Sequence, residues 1–282
     1  MPWLLTLILS AAPSWPSPAA PLRVVPSPPL AAPLRVVVDA GHGAPGNMGN
    51  HGCHCQREAD ETLVEARALA QRLRRFGFTV LETRTVEVGA RYAARIAALE
   101  RFKPHLVVSL HTDARADAWP SETSADGGVC FANRADPGFA VLWSAEGPRA
   151  VVRAREAWGR AVSRSLRVAG FLAYSGADYG SLYRADGAEP GPDSNGAELG
   201  PDSNGAELGP DSNGAEPGCF IDARPLEQRV YFLRATQVAP VIIVETHHAL
   251  DPLEVARWGE AATHDAFAAA IGSAALEVAQ GR

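Results

Sequence analysis

No apolar run in the 282 residues approaches the roughly 18–20 needed to cross a bilayer, which excludes a multi-span membrane protein. Basic residues are not in surplus: 26 Lys and Arg stand against 32 Asp and Glu, a formal net charge of −6. With no basic excess to neutralise phosphates, nucleic acid is excluded as the first partner to consider. Cysteine is scarce, four in all, and none precedes Cys53, so a lipid-modified N-terminal cysteine is excluded as well. Proline and glycine are the residues in excess, 22 and 26, although 46% hydrophobic and 21% charged residues make an otherwise globular composition. Part of the chain is therefore expected to lie outside the folded core.

Two segments account for that excess. Trp3 to Ala12 form a short apolar run followed by small residues at Ala11, Ala12, Ala19 and Ala20, the pattern of a signal-peptide core and its cleavage region. The only positive charge ahead of the run is the terminal amine. Residues 13–33 are Pro- and Ala-rich, a composition that stays extended. The second segment, 187–218, repeats GAEPGPDSN and GAELGPDSN with a nine-residue period from Gly187, Gly196, Gly205 and Gly214. A calcium-binding β-roll also has that period, but only the copies with Leu199 and Leu208 come near its requirements. Without aromatic or β-branched residues, three copies bury no core, so a solvated surface insertion is expected. Setting aside 1–33 and 187–218 leaves a core of single-domain size whose charges cancel.

From Leu34 the pattern becomes regular. Arg35 to Asp39, Phe78 to Leu81, Leu106 to Leu110 and Val241 to Val244 read as strands. A helix is expected from Glu58 to Phe76, its apolar face formed by Leu63, Ala66, Leu69, Leu73 and Phe76. Glu58, Asp60 and Glu61 open it, Arg72, Arg74 and Arg75 close it, as the helix dipole favours, and Gly77 stops it. Further helices are expected at 90–101, 147–169 and 260–279. Continuous apolar strands separated by helices indicate an α/β fold: one domain, 34–282, with a mostly parallel open sheet and helices on both faces.

Chemistry-bearing residues recur at the strand ends. His42 follows the first strand, His111 follows the third, Glu245 ends the fourth, and Glu58 opens the first helix. Taken singly, each has an ordinary reading, as a loop histidine or a helix-dipole carboxylate. In open α/β sheets, however, ligands bind beyond the carboxyl ends of the strands, where distant residues converge. Two imidazoles and a carboxylate form a catalytic zinc set with a position left for water, and a second carboxylate can serve as general base.

The segments VVVDAGHG (36–43), EADETL (58–63), VLETR (80–84), LVVSLHTDA (106–114) and FLRATQVAPVIIVET (232–246) resemble, in order, those of the zinc-dependent N-acetylmuramoyl-L-alanine amidases of the type 3 class. The resemblance implies that His42, Glu58 and His111 hold Zn²⁺ and that Glu245 is the catalytic carboxylate. It implies hydrolysis of the amide between N-acetylmuramic acid and L-alanine, on peptidoglycan glycan strands with stem peptides, by a protein exported to the periplasm or cell envelope. The mature chain would have no transmembrane segment and no nucleic-acid partner; dependence on an activator protein is left open. Arg95 matches a helix arginine of that family.

The chain departs from the family pattern in places. Ala40 replaces a proline, Ala59 replaces a lysine, and the loop before Glu58 is unusually rich in His51, Cys53, His54 and Cys55. Those four either bind a second metal, take over from Glu58, or form a loop with one disulfide cysteine. Cys53 and Cys55 are too close to bridge each other, so Cys130 or Cys219 would be the partner. His247 and His248 either orient Glu245, touch substrate or are solvated, and Asp113 is a candidate supporting group. A zinc peptidase cutting within the stem peptide and a non-catalytic wall-binding relative are the rival readings.

Overall fold

The computed structural model describes residues 33–124, 127–180, 182–186 and 216–281. The expected export segment, apart from Pro33, and the nonapeptide repeat up to Ala215 lie outside the described residues.

The sheet is built from β1 (Arg35–Ala40), β2 (Thr79–Glu82), β3 (Leu106–Asp113), β6 (Ala140–Trp143), β7 (Tyr183–Ala185), β8 (Cys219–Asp222) and β9 (Val241–His248). A separate antiparallel hairpin pairs β4 (Trp119–Thr123) with β5 (Val129–Ala132). The order across the main sheet is β2-β1-β3-β9-β6-β8-β7. Strands β2, β1, β3 and β9 run parallel, β6 pairs antiparallel with β9 and parallel with β8, and β7 adds antiparallel at the far edge. The sheet is thus mostly parallel, as the apolar strands imply.

Side chains alternate between two packed layers, as pleating requires. Val36, Val38, Ala40, Val108, Leu110, Ile242 and Val244 share one core. They meet Leu63, Leu69 and Leu73 of α1 (Glu58–Arg75), Trp158 and Val162 of α3 (Arg149–Val168), and Phe267 and Ile271 of α6 (Ala261–Ala279). Val37, Val107, Val241 and Ile243 face the other way, onto Ile96 and Leu99 of α2 (Tyr92–Phe102) and Phe232 and Leu233 of α4 (Tyr231–Ala235). A short α5 (Pro252–Trp258) brings Trp258 into the first core.

Several sequence expectations are corrected. Helix α1 ends at Arg75, and Phe76 is its C-cap residue, 41% exposed rather than on the buried face; Gly77 follows with φ +91° and donates to the Arg74 carbonyl. Strands β3 and β9 run past their apolar runs, so His111 and Glu245 lie within strands and not after or at the end of them. The extension is possible because each keeps a hydrogen-bonding neighbour: β3 and β9 pair as far as Asp113 and His248, through an irregularity after His111, and Ala140 of β6 pairs with Glu245. Strands β4 to β8 and helices α4 and α5 carry too short a pattern to be read from sequence.

Candidate metal centre

The chain leaves β1 at Ala40 and turns through Gly41, where there is no room for a side chain. A Cβ there would stand 2.5 Å from His111 Cε1 and 2.6 Å from the Leu110 carbonyl oxygen. His42 takes a left-handed conformation, φ +58°, and its backbone N–H donates to the Tyr92 hydroxyl, 3.0 Å. Its ring Nδ1 lies 2.6 Å from Asn47 Oδ1, an acceptor, which favours a proton on this nitrogen, and Nε2 is directed toward Glu58. Asp39 anchors the strand behind the turn, accepting from Ser109 Oγ at 2.5 Å and from Arg95 at 3.0 Å, with Thr83 as a further donor.

Glu58 begins α1 and is buried. Its Oε1 lies 3.0 Å from His42 Nε2, 3.0 Å from His111 Nδ1 and 3.2 Å from the Thr112 backbone N–H, which donates to it. Its Oε2 accepts from the Asn50 backbone N–H at 3.0 Å. Burial works against the ionised form of Glu58, but hydrogen bonds and charge from His111 and His42 outweigh it and hold the carboxyl below its ordinary range. The same contact raises His42 although burial pulls it down. The two imidazoles meet edge to face, ring centroids 4.8 Å apart.

The three residues therefore present one ligand atom each, all within 4.8 Å of one another, and no other described His, Cys, Asp or Glu residues gather in this way. Two nitrogens and a carboxylate oxygen suit a first-row divalent ion, and the 3.0 Å spacings from Glu58 approach those of ligands around one tetrahedral centre with bonds of about 2.0 Å. Glu245 stands next to His111 as its partner in the strand register, with Oε2 buried and lacking a hydrogen-bond partner among the described residues. The group fits a metal.

Residues 36–166 match the profile of the N-acetylmuramoyl-L-alanine amidase family. That stretch holds His42, Glu58 and His111, and over it the chain is similar to that family. Among solved structures, the chain resembles the N-acetylmuramyl-L-alanine amidase Ami1 of Mycobacterium smegmatis, with a TM-score of 0.61 at 17% identity over 89% of this chain and 99% of that one. Ami1 of Mycobacterium abscessus gives 0.58 at 16% identity, covering 88% and 99%, and AmiC2 of Nostoc punctiforme gives 0.54 at 18%, covering 88% and 97%. These likenesses establish the fold. No curated protein sequence matches the chain.

Near Glu245 lies a set of polar side chains that sequence reading reached only at Asp113. Asp113 Oδ2 accepts from Arg115 Nε at 2.9 Å and from the Tyr179 hydroxyl at 2.8 Å. Arg115 also donates to the carbonyls of Asp136 and Gly138 and lies over the Tyr174 ring, 3.8 Å from its centroid. Burial first, and the nearby Asp113 carboxylate second, push Glu245 up to about 8. Asn47 and Asn50 carried a faint signal, polar residues in a Gly-rich loop beside His42; Tyr179 carried none.

The remaining candidates take defined places. Cys55 is bonded to Cys130, while Cys53 and Cys219 are free and buried. His54 pairs with Glu122 at 2.8 Å, and no second metal cluster forms among the described residues. His247 and His248 are buried in β9, so the solvated-loop alternative fails. His247 stacks on Trp258 and is driven down to about 3 by burial, with the positive charge of Arg115 adding to it. His248 donates its backbone N–H to Glu254. Arg95 donates to the Asp39 carboxylate and to the carbonyls of Ala40 and His42, which makes it a scaffold of the His42 turn.

Proposed function

We propose that the chain is a zinc enzyme of the cell envelope in which His42, Glu58 and His111 hold Zn²⁺ and Glu245 is the catalytic carboxylate. The observation that carries this reading is Glu58 Oε1 lying 3.0 Å from a nitrogen of each imidazole, with Glu245 in register beside His111. Bound there, Zn²⁺ supplies a Lewis acid that polarises the scissile carbonyl and lowers the pKa of water. Asn47 holds the tautomer of His42, and the Asn50 and Thr112 backbone N–H groups fix the Glu58 carboxylate. Glu245 takes a proton from the attacking water and delivers it to the departing amine of L-alanine. Glu245 is half-buried, with its Oε2 shielded from solvent.

In this reading residues 34–282 form the catalytic domain, 1–33 direct export, and 187–218 are a solvated insertion. The substrate is the amide joining N-acetylmuramic acid to the stem peptide, and the proposed place of action is the periplasm or cell envelope. Digestion of purified sacculi followed by mass spectrometry tests this. Stem peptides with a free N-terminal L-alanine are expected, with activity lost on chelation and restored by Zn²⁺. Products cut within the stem would make the protein a zinc peptidase, and no products at all would leave a wall-binding relative.

A further inference from the structure

Arg84 is a buried guanidinium with no carboxylate partner among the described residues. Its Nη2 donates to the Ala59 carbonyl at 2.6 Å, the Gly41 carbonyl at 3.0 Å and the Thr62 hydroxyl at 3.1 Å. Its Nε reaches the Ala40 carbonyl at 3.3 Å, and Nη1 reaches the carbonyls of Val86 and Glu87 at 3.3 and 3.4 Å. Among the described residues it makes no ion pair, although its side chain is almost wholly enclosed. An unpaired buried cation is a costly way to fill space. Burial, helped by the nearby Arg95 charge, depresses its pKa.

What Arg84 holds is specific. The acceptors on one side, Ala40 and Gly41, belong to the turn that ends in His42. Those on the other, Ala59 and Thr62, belong to the first five residues of α1, which Glu58 opens. Thr62 itself donates to the Gly41 carbonyl at 2.9 Å, closing a ring of hydrogen bonds around the guanidinium. The main chain is shaped to admit it: a Cβ on Gly43 would meet the guanidinium carbon at 2.7 Å, and one on Gly89 would strike Arg84 Cδ. Arg95 differs in kind, since Asp39 neutralises it and its other acceptors, Ala40, His42 and Ala90, include no residue of α1.

We propose that Arg84 is a positioning residue that sets the separation between His42 and Glu58 and so preorganises the metal centre, an inference that rests on those residues being the ligands. A planar fork spans both sets of carbonyls at once, whereas the single ammonium of lysine cannot.

The test compares Arg84→Lys with Arg155→Lys in the full-length chain. Arg155 is a control of the same type, a buried arginine feeding the carbonyls of Ser144, Glu146 and Thr236 away from the metal centre. Zinc affinity of the stripped protein is measured by competition with a chromogenic chelator, and the melting temperature of the metal-free protein is recorded beside it. Arg84→Lys is expected to weaken zinc binding about 10–100-fold, the usual range for outer residues that orient metal ligands, while Arg155→Lys lowers the melting temperature without moving zinc affinity. Gly89→Ala, which crowds the Arg84 stem, should reproduce the zinc effect and decides the matter if Arg84→Lys does not fold. Unchanged zinc affinity in folded Arg84→Lys or Gly89→Ala overturns the proposal. Wild type and His111→Ala are titrated alongside. If wild type binds no zinc, or His111→Ala binds it equally well, the ligand assignment has failed, and the Arg84 inference with it.

Discussion

His111 and Glu245 are register partners on adjacent parallel strands, β3 and β9. Neighbouring strands lie about 4.8 Å apart, so the carboxylate and the imidazole stand side by side on one face of the sheet. Alternation puts the next residue, Thr246, on the opposite face, where its hydroxyl lies 3.0 Å from Glu65 Oε2 and 3.1 Å from the His111 carbonyl. The strand pair is thereby pinned at the position where the chemistry is proposed.

Glu245→Gln should bind zinc with wild-type affinity yet lose turnover by about 10²–10⁴-fold, the contribution expected of a proton-transferring side chain. Chelator competition and single-turnover assays on a muropeptide check the two halves. Retained turnover would assign the proton transfer to another group.

Close backbone approach at the metal centre makes two glycines intolerant of change. Gly41→Ala places a methyl against the His111 ring, and Gly49→Ala, at φ +77°, places one against the Glu58 carboxylate. Either substitution should weaken zinc binding by about tenfold or more. Metal content after dialysis against limiting zinc is the measurement; full occupancy would show that the loops yield without moving the ligands.

The Cys55–Cys130 disulfide ties the loop before Glu58 to β5 across a sequence separation of 75. A crosslink closing a loop of that length is expected to contribute about 2–4 kcal/mol. Replacing both cysteines with alanine should lower the denaturation midpoint accordingly, and reductant should destabilise wild type but not the double variant.

Glu61 supplies a pH dependence. Its carboxyl is raised from 4.5 to about 7, chiefly by burial and further by the Glu58 charge, despite the opposing influence of the nearby Gln56 amide. The folded chain therefore holds this proton more tightly than the unfolded one. The associated stability is complete below about pH 4.5 and is lost as pH rises through 7. In metal-free protein, Glu61→Gln should melt higher than wild type at pH 8 and show no such gain at pH 4. A pH-independent difference between the two would mean that Glu61 is not responsible.

The C-terminal end of the insertion, 216–218, is held in a way that its sequence does not imply for the rest. Glu216 pairs with Arg164 and Arg167 of α3, and the Gly218 carbonyl accepts from the Val141 N–H. Replacing 187–215 with a short Gly-Ser linker should leave the melting temperature within about 2 °C, whereas extending the replacement through Gly218 should lower it by about 4 °C or more. Thermal unfolding of the two variants makes the comparison.

Much of this protein was legible as sequence because its strongest signals are local. The apolar periods of α1, β1 and β3, the dipole-matched charges of α1 and the stop at Gly77 depend on residues a turn or two apart. His42, Glu58, His111 and Glu245 could be picked out because each sits beside such an element. The tertiary structure alone decided the rest. Strands of three to five residues, such as β7 and β8, are too short to have a period, and they exist because a neighbour completes their hydrogen bonds. Cys130 could be told from Cys219 as the partner of Cys55 only once β5 lay against the loop. His247 and His248 are buried because β9 continues past its apolar run beside β3. Arg84 could be recognised as a bridge only when two segments distant in sequence offered their carbonyls to one planar group. Hydrogen-bond partners and burial are properties of pairs brought together by folding, and the order of residues along the chain does not contain them locally.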